Sequence, residues 1–226
     1  MKQQRAMSHR ELDVLFEDNH LLVVNKPAEI ATMGLADGEE TLLTVAKEYI
    51  RRRHNKPGNV YLGIVSRLDS PVTGVVVFAR TSKAAARLND QFRDHTVGKI
   101  YHALVEGSVS PKEGLLVNHL CEDKRNRKMW VTARPTVESK EARLRYACLK
   151  YVGNNSLVEV TLETGRKHQI RLQLAHQEHP ILGDRKYGAK TAFSQGIALH
   201  ARRLVIVHPV TKEQLTFDAP LPQYWP

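Results

Sequence analysis

Cysteine is almost absent from this chain. Its 226 residues include two, Cys121 and Cys148, too few for a disulfide framework, and no Cys-x-x-Cys pair exists. Long apolar runs are missing as well. No segment reaches membrane-spanning length, and no membrane association is expected. Met1 to Arg10 is polar and basic with no apolar stretch behind it, so no signal peptide is expected and the cytoplasm is the expected compartment. The 13 glycines form neither a phosphate loop nor a dinucleotide fingerprint, and no cofactor is expected. His168, His176, His179 and Asp184 lie close in sequence, but no two ligands are spaced to face together as His-x-x-x-His would be. No metal is expected. Internal repeats and low-complexity stretches are lacking too. Acids are the minority charge. The 24 Asp and Glu face 34 Lys and Arg, for a net charge of +10. That balance favours a polyanionic partner, through long-range attraction and counterion release.

What is there is enough chain for one large domain or two small ones. Val14–Asp18 and Leu21–Asn25 read as two short strands joined by a turn at Asp18-Asn19, with Lys26-Pro27 ending the second. Thr41–Ile50 has helical spacing, with Leu42, Val45, Ala46, Tyr49 and Ile50 on one face and Arg51–His54 at its C-terminus. Val75–Ala79 is too apolar for a half-exposed strand and is placed inside a sheet. Ser82 is placed as the cap of a helix beginning at Lys83. Tyr101–Val105 alternates as a strand. Residues 108–147 are the least legible, with a turn at Pro111–Gly114 and a basic loop at Asp123–Lys128. Leu144–Leu149 and Leu157–Leu162 read as an antiparallel pair around Gly153-Asn154-Asn155. Residues 168–176 fit either a strand or a helix. Leu204–Val207 and Gln214–Phe217 read as closing strands, followed by an extended tail from Pro220.

Three polar clusters interrupt these elements. The first is Ser66-Arg67-Leu68-Asp69-Ser70-Pro71-Val72-Thr73-Gly74, which carries a carboxylate and an arginine on a turn just before an apolar strand. The second is Lys99 to Gly107, with Tyr101. The third is Thr164-Gly165-Arg166-Lys167-His168-Gln169-Ile170-Arg171. Loops held by rigid elements are common places for chemistry. An acid, a tyrosine and an arginine brought together on a basic surface point to chemistry on a polyanion. Taken singly, each residue has a plainer reading: Asp69 as a turn cap, Tyr101 as a core strand residue, Arg171 as a surface arginine.

In combination and order, the clusters resemble pseudouridine synthases of the large-subunit ribosomal and transfer RNA type. The resemblance rests on Arg67-Leu68-Asp69 with Thr73-Gly74, on Lys99-x-Tyr101-x-Ala103, and on Gly165-Arg166-x-His168-Gln169-Ile170-Arg171. It extends to Asn25-Lys26-Pro27, His179–Asp184 with Tyr187-Gly188, and Leu199-His200-Ala201 with His208-Pro209. It implies an α+β fold: a mixed, mostly antiparallel central sheet with flanking helices and an RNA-binding cleft. It also implies a helix at 168–176. Residues 1–12 are expected to form a flexible N-terminal segment and 13–226 a single catalytic domain, without the added N-terminal RNA-binding module of many relatives.

The implied reaction breaks the bond between ribose C1′ and uracil N1 and joins C1′ to C5, in a uridine of structured RNA, ribosomal or transfer. The resemblance makes Asp69 the nucleophile, Arg171 its ionic partner with Arg166 as rival, and Tyr101 the residue that stacks on the flipped uracil and takes the C5 proton. Arg67 is expected to hold the place the flipped base leaves. Lys26, Arg166, Lys167, His168, Lys124, Arg125, Arg127 and Lys128 are expected to contact RNA, with Ile170 and Leu204 lining the uracil pocket. Ser66, Ser70 and Thr73 depart from the family's usual choices. A monomer with no obligate protein partner is expected. A non-catalytic RNA-binding protein would explain the basic loops but needs no acid among them. A metal-dependent nuclease would need clustered acids, and Asp90 and Asp94 have helix-surface spacing instead.

Overall fold

The computed structural model describes residues 12–34, 39–126 and 128–226. The expected flexible segment, apart from Leu12, and Arg127 lie outside these residues. The described chain forms strands β1 (Val14–Glu17), β2 (Leu21–Lys26), β3 (Gly63–Ile64), β4 (Thr73–Ala79) and β5 (Gly98–Glu106) in its first half. Then follow β6 (Glu113–Asp123), β7 (Lys128–Thr132), β8 (Lys140–Val152), β9 (Asn155–Leu162), β10 (Leu199–Val207) and β11 (Gln214–Asp218). Helices α1 (Leu42–Arg53), α2 (Ser82–Arg93) and α3 (Gln169–His176) pack against them. The 11 strands make one sheet in the order β1-β2-β4-β10-β5-β9-β8-β6-β7, with β3 also on β4 and β11 on β10. Every described pairing is antiparallel except β4 with β10. The α+β expectation holds. No helix of the described residues is long and apolar enough to cross a membrane.

Strand β4 explains why this sheet has cores on both faces. All seven of its residues are buried. Alternation sends Val75, Val77 and Ala79 toward Ala84, Ala85 and Leu88 of α2, while Val76 and Phe78 meet Leu42, Ala46 and Ile50 of α1. Strand β2 repeats the pattern beside it, with Leu21 and Val23 on one side and Leu22 and Val24 on the other. A third core, under α3, joins Ala103, Val158 and Val160 to Ile170 and Leu174.

Several expectations shift in the structure. Thr81 caps α2, its hydroxyl accepting from the Ala84 amide, so the helix begins one residue before the expected Lys83. Strand β5 runs from Gly98 to Glu106, three residues earlier and one later than the expected Tyr101–Val105, because pairing with β9 and β10 continues past the apolar stretch. Residues 113–132 form the β6–β7 hairpin, which the sequence pattern does not reveal. Its exposed positions include Leu115, Val117 and Trp130, so polarity does not mark its two faces, and its tip at Asp123–Lys128 carries neither glycine nor proline. Residues 169–176 are helical.

One glycine fixes how the sheet is joined. Gly74 has φ of +112°, and a Cβ there would lie 2.2 Å from the Ala201 carbonyl oxygen. It is the point where β4 meets β10, with His200 beside Thr73 and Ala201 beside Gly74. The Thr73 hydroxyl and His200 Nδ1 bond at 2.8 Å on the same rung. Gly153, between β8 and β9, also has positive φ (+57°) but meets nothing within 4 Å. Gly74→Ala is therefore expected to cost about 3 kcal/mol or more, from clash plus backbone strain. Gly153→Ala is expected to cost about 1 kcal/mol, from strain alone. Urea denaturation of both variants checks this, and equal costs would remove the steric account of the β4–β10 junction.

Candidate active site

The site begins with a loop that must turn back. Strand β3 pairs with the far end of β4, at Phe78 and Ala79, while β4 starts at Thr73. Residues 65–72 return the chain along that length and bring Asp69 beside the β4–β10 junction. The return is anchored on both sides. The Thr32 hydroxyl accepts from the Leu68 amide (3.2 Å) and donates to its carbonyl (2.8 Å). The Ser70 carbonyl accepts from the Glu29 amide at 2.9 Å, and Pro71 accepts from Ile197 at 3.1 Å. The Asp69 carbonyl closes a turn with the Val72 amide at 3.0 Å.

Lys26 completes the anchorage. Its side chain is fully buried. Nζ donates to the carbonyls of Pro27 (2.8 Å), Ile30 (2.8 Å) and Ser70 (3.0 Å), one for each ammonium hydrogen. Burial lowers its pKa to about 7, against the opposing pull of Asp69. The expected RNA contact at Lys26 is thus corrected: an amine with no solvent exposure and three main-chain acceptors holds the Asp69 loop instead.

Helix α3 brings the cations. It is buried along most of its length, and its positions separate by role. Ile170 and Leu174 enter the core, Leu172 packs with Leu120 and Met129, and Gln173 donates to main-chain oxygens of Leu116 and Ala142. His168 and Arg171, three residues apart, face the Asp69 loop. The helix starts without a conventional side-chain cap. Gln169 folds back so that its Oε1 accepts from the Arg166 amide (2.9 Å) and the Thr164 hydroxyl (2.8 Å). Thr164 and Gln169 therefore close the turn that leads into α3.

Arg171 is the centre of the arrangement. Its Nη1 donates to Asp69 Oδ2 at 2.8 Å. Its Nε and Nη2 form a bidentate pair with Asp184, at 2.7 and 2.8 Å. Burial opposes its charge, but hydrogen bonding and attraction from Asp184, then Asp69, outweigh that and raise its pKa. Its guanidinium carbon lies 5.2 Å from the ring centre of Tyr187. Arg166, the rival, does not reach Asp69; its Nε donates to the Glu141 carbonyl at 2.8 Å.

The remaining expected residues divide between the site and its surroundings. Tyr101 lies close enough for Asp69 to raise its pKa, although burial is the larger cause, so it is a neutral phenol. A small cleft of about 30 Å³ is lined by Arg67, Leu68, Lys99, Tyr101 and Leu204 among others. Ile170 lies instead in the core under α3. Lys167 is paired with Glu122 at 2.6 Å on the surface. His168 is largely enclosed, with Nδ1 on the Tyr187 hydroxyl at 2.7 Å and Nε2 3.7 Å from Asp69 Oδ2. Burial lowers its pKa to about 4, so its imidazole is neutral. Lys124 and Arg125 are exposed on the β6–β7 turn. Lys128 reaches over the Tyr187 ring, 5.3 Å from its centre.

Asp184 and Tyr187 were not singled out as site residues from sequence. Both lie in the segment that matches the family's late motif, which was the available signal. Neither has a local pattern that says it meets α3. Asp184 is 1 % exposed while the Asp69 side chain is 33 % exposed. Asp184→Asn is therefore expected to destabilise the fold by about 3 kcal/mol, because it breaks a buried charge pair. Asp69→Asn is expected to cost about 1 kcal/mol or less, since water already screens it. Chemical denaturation of the two variants side by side checks the order; a costlier Asp69→Asn would contradict it.

Comparison with known proteins adds sequence and structural relatives. A family model described as RNA pseudouridylate synthase matches residues 20–176. The chain is 37% identical over 224 residues to the ribosomal large subunit pseudouridine synthase D of Zymomonas mobilis, covering 94% of this chain and 70% of the relative. It is 35% identical over 215 residues to the dual-specificity RNA pseudouridine synthase RluA of Escherichia coli K12, covering 92% and 93%. Among solved structures, human RNA pseudouridylate synthase domain containing 4 superposes with a TM-score of 0.79 at 27% identity. That match covers 94% of this chain and 89% of the human one.

Proposed function

This chain belongs to the RNA pseudouridylate synthase family, and from that premise we propose that it isomerises a uridine to pseudouridine in structured RNA, ribosomal or transfer, with Asp69 as nucleophile. The observation that carries the assignment of Asp69 is its pairing with Arg171 on a loop pinned from both sides. A nucleophilic carboxylate must be ionised and aimed. A guanidinium donating to one of its oxygens favours the charged form and fixes its direction.

The reaction conserves every atom. Asp69 attacks at the uracil ring or at C1′, the C1′–N1 bond breaks, and the base turns. C5 then joins C1′ and the bond to Asp69 breaks, which returns the free carboxylate; a proton leaves C5, and N1 carries one at the end. A base paired in a stem must first leave its stack. Arg67 is exposed on the loop two residues before Asp69, a position from which it can hold the vacated place. Tyr101 and Leu204 line the same cleft and offer an aromatic face and an apolar wall to the base. As a neutral phenol, Tyr101 is suited to stacking. It takes the C5 proton only by passing on its own.

The test of this reading is tritium release from RNA labelled at uridine C5. Wild-type protein is expected to release it without added metal or nucleotide. Asp69→Asn should release none while binding RNA within a few-fold of wild type, because contacts to the RNA phosphates carry much of the affinity. Arg171→Ala should be crippled as well. An Asp69→Asn enzyme with near wild-type turnover would end the assignment.

Binding itself should weaken steeply with salt, given the net charge of +10. Not every basic segment contributes. Arg51 is paired with Glu48, and Arg53 with Glu17, at the end of α1. Lys124, Arg125 and Lys128 on the β6–β7 turn are the better contacts. Replacing these three with serine should lower the slope of log affinity against log salt by about 2 to 3. An unchanged slope in a filter-binding titration would exclude the turn from the RNA contact.

A further inference from the structure

The β6–β7 hairpin is joined to His168, the neighbour of the nucleophile, by two hydrogen bonds through Tyr187. The Met129 amide, on β7, donates to the Tyr187 hydroxyl at 3.1 Å. A main-chain N–H can only donate, so the phenol oxygen accepts there. The same hydroxyl meets His168 Nδ1 at 2.7 Å, and among the described residues it has no other hydrogen-bond partner. Burial raises the Tyr187 pKa, which keeps its one hydrogen in place. Among the described residues, His168 Nδ1 is the one acceptor within hydrogen-bond distance for that hydrogen. A neutral imidazole with Nδ1 accepting carries its own hydrogen on Nε2. Nε2 lies 3.7 Å from Asp69 Oδ2, beyond hydrogen-bond range, and Arg171 holds that same oxygen at 2.8 Å. Among the described residues no hydrogen bond reaches Oδ1, the other oxygen of that carboxylate.

The backbone is committed to this arrangement. His168 has φ of +53°, in the left-handed region, just before the first turn of α3. Such a conformation in a non-glycine residue costs energy and is retained where the surroundings fix it. Here the Tyr187 hydroxyl and the edge-on packing of the two rings, with centroids 5.7 Å apart, supply that constraint.

We propose that Tyr187 is a positioning residue that fixes His168 as the Nε2–H tautomer, making His168 a second donor to Oδ2 of Asp69 while Oδ1 faces the uridine. The hairpin takes part through the Met129 amide. This rests on the assignment of Asp69 as nucleophile. With the opposite tautomer, a bare Nε2 lone pair would face the carboxylate and repel it. With Nε2–H, closing the 3.7 Å gap when RNA fills the cleft gives the carboxylate a charge-assisted bond at the oxygen not used in attack.

The tautomer can be read without substrate. In ¹⁵N-histidine-labelled wild-type protein, long-range ¹H–¹⁵N spectra at neutral pH should show His168 protonated on Nε2 and bare on Nδ1. In Tyr187→Phe, which keeps the ring and removes the hydroxyl, that preference should be lost. Tritium-release kinetics supply the second readout. Tyr187→Phe should lower kcat about tenfold or more with KM little changed, the size of one lost charge-assisted bond. His168→Ala should fall as far. The double variant should be no slower than His168→Ala, since Tyr187 acts through His168. His168→Gln, whose amide nitrogen stands where Nε2 does, should recover much of the loss. A wild-type His168 protonated on Nδ1, or additive losses in the double variant, would overturn the proposal. Absence of tritium release from the wild type would instead refute the Asp69 assignment, and the spectrum would still decide the tautomer.

Discussion

The site depends on one guanidinium held between two carboxylates. Arg171 lies on α3, Asp69 on the loop before β4, and Asp184 on the segment after α3. A lysine could not replace it, because a point charge has no second edge to offer once the first is used. The planar fork gives two donors to Asp184 and one to Asp69, so its direction is set before substrate arrives. Asp184 supplies the buried side of the clamp, and the Asp69 carboxylate stays partly open to solvent.

The groups around this clamp are held in the protonation states that suit such a site. His168 is neutral because burial outweighs its attraction to Asp69. Tyr101 is neutral because burial and Asp69 act in the same direction. Lys26 sits under the loop, depressed by burial yet satisfied by three carbonyls. The net result is one partly exposed carboxylate, oriented by an arginine, in a strongly basic protein. Long-range charge brings the RNA, and short-range geometry points the acid.

The same packing explains why basic residues that look alike in the sequence are not alike on the surface. Lys167 closes on Glu122, Arg166 on a main-chain carbonyl, and the arginines ending α1 on Glu48 and Glu17. These residues look equivalent to Lys124 and Arg125 in the sequence. They differ in having an acid or carbonyl brought to them by the sheet, which a linear reading does not contain.

Much was determined by the sequence by itself. The apolar run of β4, the amphipathic face of α1, the β8–β9 turn at Gly153 and the polar clusters at Asp69, Tyr101 and Arg171 are all local, with periodicity or motif order to mark them. The family, and with it the choice of helix for 169–176, followed from that order. Only the tertiary structure decided which arginine meets Asp69, since Arg166 lies ahead of α3 and Arg171 in its first turn, and the partner each one meets comes from a distant segment. It also decided that Lys26 is a buried support, that Ile170 belongs to the core, and that Asp184 and Tyr187 belong to the site. Each of these outcomes is a contact between segments far apart in the chain. Local patterns specify elements, whereas burial and pairing between elements are set by how the whole sheet closes over α3.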